Sequence, residues 1–221
     1  MLPEYFALNI DQQLSKITEH GFCVMDNFIS SSTALALSNE INILHDGANM
    51  HDAGTGQTLI SINKHLRGDS IYWLDEAPAS IAQKVYFAKM EALREGLNQH
   101  LYLGLFSLEC HLALYPIGAG YKKHIDRFRS ANSSQKIDAA IRQISCILYL
   151  NEDWLESDGG HLRLYVNAIE ASGDSPARIA SEINIAPLGG RLIMFLSDTF
   201  YHEVLPAIRA RKSLTGWFLT R

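Results

Sequence analysis

Little in this chain favours a disulfide-stapled, membrane-spanning or nucleic-acid-coating protein. There are three cysteines in 221 residues, Cys23, Cys110 and Cys146, and no C-x-x-C pair. An odd, sparse set, with Cys23 and Cys146 inside apolar runs, reads as reduced core thiols and predicts a cytoplasmic protein. The opening MLPEYFALNIDQQ lacks a basic segment followed by an apolar one, so no secretory leader is expected. No apolar stretch approaches the roughly 20 residues a membrane helix needs. Positive charge is not in excess: 19 Lys and Arg against 24 Asp and Glu give −5. Such a surface does not draw nucleic acid or anionic lipid from a distance, although it leaves room for a local basic pocket. With 47 % hydrophobic and 19 % charged residues, the signature of disorder is absent as well. There is no internal repeat and no low-complexity tract. The length suits one domain, residues 1–221, able to bury a core without metal or disulfide staples.

What is present divides near residue 107. The first part holds the helical patterns. Residues 3–20 read as a helix ending near Gly21, and a short apolar run spans Phe22 to Phe28. Ser30, Ser31 and Ser32 form a cap-like cluster ahead of a second helix, whose apolar positions include Leu35, Leu37, Ile41, Ile43 and Leu44, and Gly47 closes it. Residues 46–57 read as loop. Residues 57–73 read as two strands joined by a loop, the first built on Leu59–Ile62. A third helix is expected over about 79–101, with Ile81, Val85, Phe87, Met90, Leu93 and Leu97 at helical spacing.

From Ser107 the pattern turns to short apolar runs: LECHLALY, RQISCILYL, GGHLRLYV, SEINIAPL, GRLIMFL, EVLPAI and SLTGWFLT. Gly, Asp, Asn or Pro separate most of them, and no helical pattern intervenes. This predicts an antiparallel barrel or sandwich. PLGGR at 187–191 reads as a tight hairpin with positive φ at Gly189 and Gly190. The polar stretch 127–141 is the longest interruption in this half.

The chemistry-bearing signal is His124-Ile125-Asp126. Residues i and i+2 of a strand share a face, so an imidazole and a carboxylate would project together. Alone this is weak: with nine His and twelve Asp, chance supplies roughly half a match. His202 lies between two expected strands, and Arg211 opens the last one. Two His and one carboxylate on a β scaffold make a facial triad that holds non-haem Fe(II) with open positions. A closed zinc site would want a fourth ligand, and no cysteine is placed to supply it. An Arg at the pocket floor suits a carboxylate through its planar fork.

Beyond this skeleton the chain resembles the 2-oxoglutarate- and Fe(II)-dependent prolyl 4-hydroxylases. The resemblance is to the oxygen-sensing type that modifies hypoxia-inducible factor, and to bacterial proteins of that group. It runs from about Gly21 to Thr220. It is carried by GFCVMDNF from residue 21, ILHDG around His45, RGDSIYW at 67–73 and YPIGAGYKKHID at 115–126. ILYLNEDW at 147–154, GGHLR at 159–163, HEVLPA at 202–207 and the RKSLTGWF tail continue it. The segment from Asp198 to His202 is one residue shorter than in that branch, and the 127–141 loop is longer and of different sequence.

The resemblance implies an α+β, mainly β, fold: a double-stranded β-helix, or jelly-roll, core over 107–221, supported by helices and a finger region within 1–106. It implies Fe(II) on His124, Asp126 and His202, with 2-oxoglutarate and O2 as cosubstrates and ascorbate as an accessory reductant. Arg211, helped by the Tyr149 hydroxyl, would take the distal carboxylate, with Tyr115 and Thr215 lining the pocket. Arg142 matches a substrate-associated position. Arg67 and Asp69 lie in the finger, and Asp69 is expected to pair with Arg142 when it closes.

The implied reaction is hydroxylation of a prolyl residue in a protein, with elongation factor Tu a candidate by family analogy. Three alternatives stay open. A dioxygenase of a free small molecule such as an amino acid, and a non-catalytic sensing module, share the skeleton. A nucleic-acid dealkylating relative would want a second Arg, where this chain has Leu214, Thr215 and Trp217. Trp73, Trp154 and Trp217 read as packing residues. His45, His111 and His161 read as structural or exposed, and Lys122 and Lys123 as solvated.

Overall fold

A computed structural model describes residues 4–54, 63–127, 140–170 and 177–221. Helix α1 spans Glu4–His20, α2 Ser31–Asp46 and α3 Ile81–Leu101. Each begins or ends on local chemistry. Gly21, at φ +79°, terminates α1, and a Cβ there would lie 2.8 Å from the Phe200 ring. Ser30 caps α2 by accepting from the Thr33 amide. Ser80 and Gln83 close a capping box on α3, and both side chains donate to Glu40 of α2 at 2.6 Å. One carboxylate thereby joins two helices. The buried stripe of α3 is Tyr86, Met90, Leu93 and Leu97. Ile81 and Val85, expected on that face, are exposed near the helix start.

Eleven strands are described: β1 Phe22–Met25, β2 His51–Asp52, β3 Ser70–Trp73, β4 Ser107–Tyr115, β5 Tyr121–His124 and β6 Ile141–Tyr149. They continue with β7 Leu162–Glu170, β8 Ala177–Ile185, β9 Leu192–Leu196, β10 Tyr201–Val204 and β11 Arg211–Thr220. All pairings are antiparallel. A seven-stranded sheet has the order β1-β9-β6-β11-β4-β3-β2, and a four-stranded sheet the order β5-β10-β7-β8. From β4 onward the chain passes back and forth between the sheets. This is the double-stranded β-helix, with β1, β2 and β3 extending the larger sheet from the N-terminal half. The expected strand over Leu59–Ile62 lies outside the described residues, as does most of the 127–141 loop.

This alternation corrects the reading of PLGGR. Strand β8 pairs with β7, whereas β9 pairs with β1 and β6, so the turn crosses between sheets and is not a hairpin. Gly190 does take positive φ, at +80°. Gly189 does not: it is needed because a Cβ would sit 2.5 Å from the Asn151 carbonyl oxygen. The periodic signal could not show this, because a turn between paired strands and a turn between sheets use the same residues.

Register sorts the larger sheet into two faces. Toward the helices, Leu214 opposes Leu112 and Leu148, Gly216 opposes Cys110 and Cys146, and Phe218 opposes Leu108 and Ile144. These side chains pack with Leu37, Ile41, Met90, Leu93 and Leu97 in one apolar core. Directly opposed residues share a face, so the alternate set points between the sheets. Arg211 lies opposite Tyr115, Ser213 opposite Ala113 and Tyr149, Thr215 opposite His111 and Ile147, and Trp217 opposite Glu109 and Ser145. All three cysteines are buried and free, and burial pushes the Cys23 and Cys110 thiols up to about 12, away from thiolate reactivity.

Candidate active site

The three expected metal ligands converge at the mouth of the smaller sheet. His124 ends β5 and His202 lies on β10 directly opposite it, with a register shift just beyond. Their ring centroids are 4.1 Å apart. Asp126 does not sit in the strand: β5 stops at His124, so pleating does not aim the carboxylate. Hydrogen bonds aim it instead. Ser145 Oγ donates to Asp126 Oδ2 at 2.6 Å and Trp217 Nε1 donates to the same oxygen at 2.9 Å. His124 Nε2 lies 3.7 Å from Oδ1, and His202 Nε2 lies 3.8 Å from Oδ2. One ligand atom from each residue falls within 4.8 Å of the others.

The tautomers are set from outside. His124 Nδ1 is 2.8 Å from the Lys122 carbonyl, and His202 Nδ1 is 3.2 Å from the Phe200 carbonyl. A carbonyl can only accept, so each Nδ1 carries a proton, and the neutral tautomer with that proton presents Nε2 as its metal-binding atom. Burial and the adjacent His202 push His124 down to about 3, with Asp126 opposing. Burial raises Asp126, but His202, His124 and the hydrogen bonds from Ser145 and Trp217 outweigh it, so the carboxyl lies below its usual range. At neutral pH the group therefore offers a neutral His124 imidazole and an Asp126 anion, a donor set that suits a divalent cation. Among the described residues, no fourth His, Cys, Asp or Glu joins it.

The adjoining cleft, about 520 Å³ and open to solvent, is lined by Arg67, Tyr115, Tyr121, Arg211, Ser213 and Thr215 among others. Arg211 is 2 % exposed, and its guanidinium carbon lies 5.0 Å from the rings of both Tyr115 and Tyr149. Among the described residues, no acidic side chain pairs with it. Arg211 Nε, the Tyr149 hydroxyl and Ser213 Oγ are buried without a hydrogen-bond partner. A buried cation and buried donors left unmatched cost several kcal/mol. A carboxylate entering here would satisfy them.

Arg67 and Asp69 pair with each other. Arg67 donates from Nε and Nη2 to the two oxygens of Asp69, at 2.7 and 2.9 Å. Its guanidinium carbon is 4.8 Å from the Tyr121 ring. Asp69 raises the Arg67 guanidinium above its ordinary value, against the effect of burial. Arg142 instead donates to Glu109 at 2.6 Å and lies 3.6 Å over the Trp217 ring. Asp69 and Arg142, expected to pair on closure of the finger, each have another partner in this structure. Asp69 is partnered within its own segment, two residues from Arg67, while Arg142 on β6 reaches Glu109 on β4 across the intervening β11.

Trp217 is a site residue rather than packing alone, and Ser145 joins it without a motif of its own. Both are reachable by counting: Trp217 is six residues from Arg211 and Ser145 four from Tyr149, even spacings that keep one strand face. Lys123 lies 3.6 Å over the Tyr165 ring, and neither it nor Lys122 lines the cleft. His161 pairs with Glu156 at 2.9 Å, and His111 is buried.

A family model described as the 2OG-Fe(II) oxygenase superfamily matches residues 110–219, the stretch that holds the triad and Arg211. A solved Pseudomonas putida prolyl-4-hydroxylase is 37 % identical, with a TM-score of 0.77 over 96 % of this chain and 99 % of that one. The chain belongs to the 2OG-Fe(II) oxygenase superfamily. A Trichoplax adhaerens prolyl hydroxylase, solved with a hypoxia inducible factor peptide fragment, is 27 % identical, with a TM-score of 0.79 over 97 % of this chain and 90 % of that one. The Homo sapiens protein Egl nine homolog 1 is 29 % identical over 210 residues, 91 % of this chain and 44 % of its own length. The chain thus spans about half the length of the curated relatives it matches. The superfamily's name implies iron and 2-oxoglutarate. The two Nε2 atoms with the Asp126 carboxylate fit the first, and the orphaned donors around Arg211 fit the second.

Proposed function

We propose that this protein is an Fe(II)- and 2-oxoglutarate-dependent dioxygenase that hydroxylates a prolyl residue of a protein, with release of succinate and CO2. The observation that carries the reading is the inner face of β11. It runs from the buried, unmatched Arg211 to Trp217, whose N–H holds Asp126 beside His124 and His202. When bound, the iron and 2-oxoglutarate supply oxidative decarboxylation with O2 and the power to break a C–H bond.

The chain's own residues do the rest. His124, Asp126 and His202 hold the metal, and the backbone carbonyls behind the imidazoles keep Nε2 available. Arg211 and the Tyr149 hydroxyl take the far carboxylate, and Tyr115 and Thr215 wall the pocket against water. Arg67 and Arg142 line the cleft and are the substrate contacts in this reading, with Asp69 holding Arg67 in place. The prolyl assignment draws on the Pseudomonas putida and Trichoplax adhaerens relatives. Elongation factor Tu enters as a candidate on the family resemblance alone. Three buried free thiols suit a cytoplasmic setting, and no described helix is long and apolar enough to cross a membrane.

The test is intact-mass analysis of candidate proteins incubated with this protein, Fe(II), 2-oxoglutarate and O2. A gain of one oxygen atom on a proline, absent without 2-oxoglutarate, is expected. Decarboxylation coupled to a free amino acid, with no protein gaining oxygen, would overturn the protein-substrate reading.

A further inference from the structure

Trp217 reaches Asp126 through a single N–H, so the orientation of the indole decides whether that hydrogen meets the carboxylate. Three neighbours restrict the ring, the first being Trp73 with its ring centroid 6.4 Å away. His111 lies 5.6 Å away, buried in the sheet and, with its pKa pushed down to about 4 by burial and by Arg67, uncharged at neutral pH. The Arg142 guanidinium lies 3.6 Å over the indole as a cation–π partner. Arginine is long and flexible, and this one is tethered. Its Nε donates to Glu109 Oε1 at 2.6 Å, and Glu109 is the residue directly opposite Trp217 in the β4–β11 ladder. A continuous series results: Glu109 to Arg142, Arg142 to Trp217, Trp217 to Asp126. The Glu109 and Arg142 side chains are 37 % and 31 % exposed, where an ion pair contributes little to stability. The consequence of this one is therefore expected in orientation.

We propose that Glu109 is a positioning residue for the metal centre: by holding Arg142 flat over Trp217, it keeps the indole N–H on Asp126 Oδ2, which fixes the carboxylate with Oδ1 facing His124 Nε2 and Oδ2 nearest His202 Nε2. Ser145 donates to the same Oδ2, so both donors anchor one oxygen while the other faces His124 Nε2 at 3.7 Å. The inference rests on the reading of His124, Asp126 and His202 as metal ligands.

The experiment uses the full chain with Co(II) alone, without 2-oxoglutarate or substrate, so that no substrate contact of Arg142 enters the readout. Affinity and the visible Co(II) absorption bands are recorded together with a thermal midpoint. Groups that orient metal ligands typically change affinity about 10- to 100-fold when removed. Trp217→Phe, which retains an aromatic ring but loses the N–H, should weaken Co(II) binding about tenfold and shift the bands. Glu109→Ala should do the same, and Glu109→Gln, which keeps an acceptor for Arg142 Nε, should fall about threefold, between it and the unaltered protein. The double variant Glu109→Ala with Trp217→Phe should bind no more weakly than Trp217→Phe, because both act through one hydrogen bond.

Glu109→Ala binding within about twofold of the unaltered protein, or strict additivity in the double variant, overturns the proposal. So does a lowered thermal midpoint with unchanged Co(II) affinity and bands. His202→Ala separates the two layers. If it binds Co(II) as tightly as the unaltered protein, the triad is misassigned and the proposal falls with it. If it loses Co(II) while Glu109→Ala keeps it, the triad stands and the positioning role alone fails.

Discussion

The two faces of strand β11 are built on opposite terms. Toward the helices it presents Leu214, Gly216 and Phe218 against a mainly apolar layer, in which the Tyr86 hydroxyl is a buried polar exception without a hydrogen-bond partner. Between the sheets it presents Arg211, Ser213, Thr215 and Trp217, polar groups of which Arg211 Nε and Ser213 Oγ are buried with nothing to bond. Residues one position apart therefore differ in what they do for the fold. The helix-facing set removes apolar surface from water at about 25 cal/mol per Å². The inner set carries unmet hydrogen bonds, which oppose folding. The inner face also holds an apolar cluster, with Ile147, Ile193 and Phe195 packed against Leu162, Leu164 and Val204, so the unsatisfied groups of β11 are held within a face that burial otherwise stabilises.

The largest effect that can break this contrast comes from the triad. His124→Ala, Asp126→Ala and His202→Ala should each abolish Fe(II)-dependent 2-oxoglutarate decarboxylation while far-UV circular dichroism remains native. Full activity in any of them would remove that residue from the working face.

Next comes Arg211. Removing it from a bound carboxylate should cost about 3–5 kcal/mol, so Arg211→Ala is expected to lower 2-oxoglutarate affinity about a hundredfold or more. Co(II) affinity should hardly move. Arg211→Met sharpens the point: it removes a buried, unpaired charge, so the ligand-free protein should melt at a higher temperature. A lower melting temperature in Arg211→Met would show that Arg211 stabilises the empty fold.

On the helix side, Leu214→Ala should destabilise by about 2–5 kcal/mol in urea unfolding. The folded fraction should keep its metal and 2-oxoglutarate affinities. A loss of either affinity beyond the unfolded fraction would mean that the faces are coupled.

The inner face should also be the acid-sensitive one. His111 has its pKa pushed down to about 4 by burial, and the unfolded chain takes up that proton near 6.5. The unfolded state thus binds more protons between those values. Stability should be full above about pH 6.5 and fall on the order of 3 kcal/mol as the pH drops to about 4. His111→Met should lose that part of the slope in urea unfolding of the metal-free protein. Equal slopes for both proteins would place the acid sensitivity elsewhere.

The smallest effect is at the periphery. Arg191 hydrogen bonds hold the Asp26 carboxyl below its ordinary value, on a side chain 59 % exposed. This contribution is present above about pH 4 and is lost as the pH falls through the lower folded value. Solvent screening keeps it to about 0–1 kcal/mol. Asp26→Asn should therefore shift the pH 7 unfolding midpoint slightly and the pH 2 midpoint not at all. A shift of several kcal/mol would make this rim pair part of the core.

Much of the fold is legible in the order of residues alone. The three helices follow from apolar spacing and from the serine cluster at Ser30, and the strand runs from Ser107 onward match β4 and β6 to β11 within a few residues. Those signals are local: a 3.6-residue or two-residue period and a cap are complete within one element. The spacing of His124, Asp126, His202 and Arg211 is legible too, because it is written in residue types. The expected apolar face of α3 is shifted by tertiary packing, which buries Tyr86 and leaves Ile81 and Val85 in solvent.

What the sequence by itself determined is which segments form helices and strands, and which side chains are able to bind a metal and a carboxylate. Only the tertiary structure decided their partners. That 187–191 crosses between sheets depends on β8 choosing β7 over β9. That Arg142 takes Glu109 depends on β6 and β4 both flanking β11. The aim of Asp126 depends on Ser145 and Trp217, 19 and 91 residues away. The physical reason is range. Backbone preference and periodicity act over a few residues, whereas hydrogen bonds and ion pairs join whatever the sheet register brings within about 3 Å, at any separation along the chain.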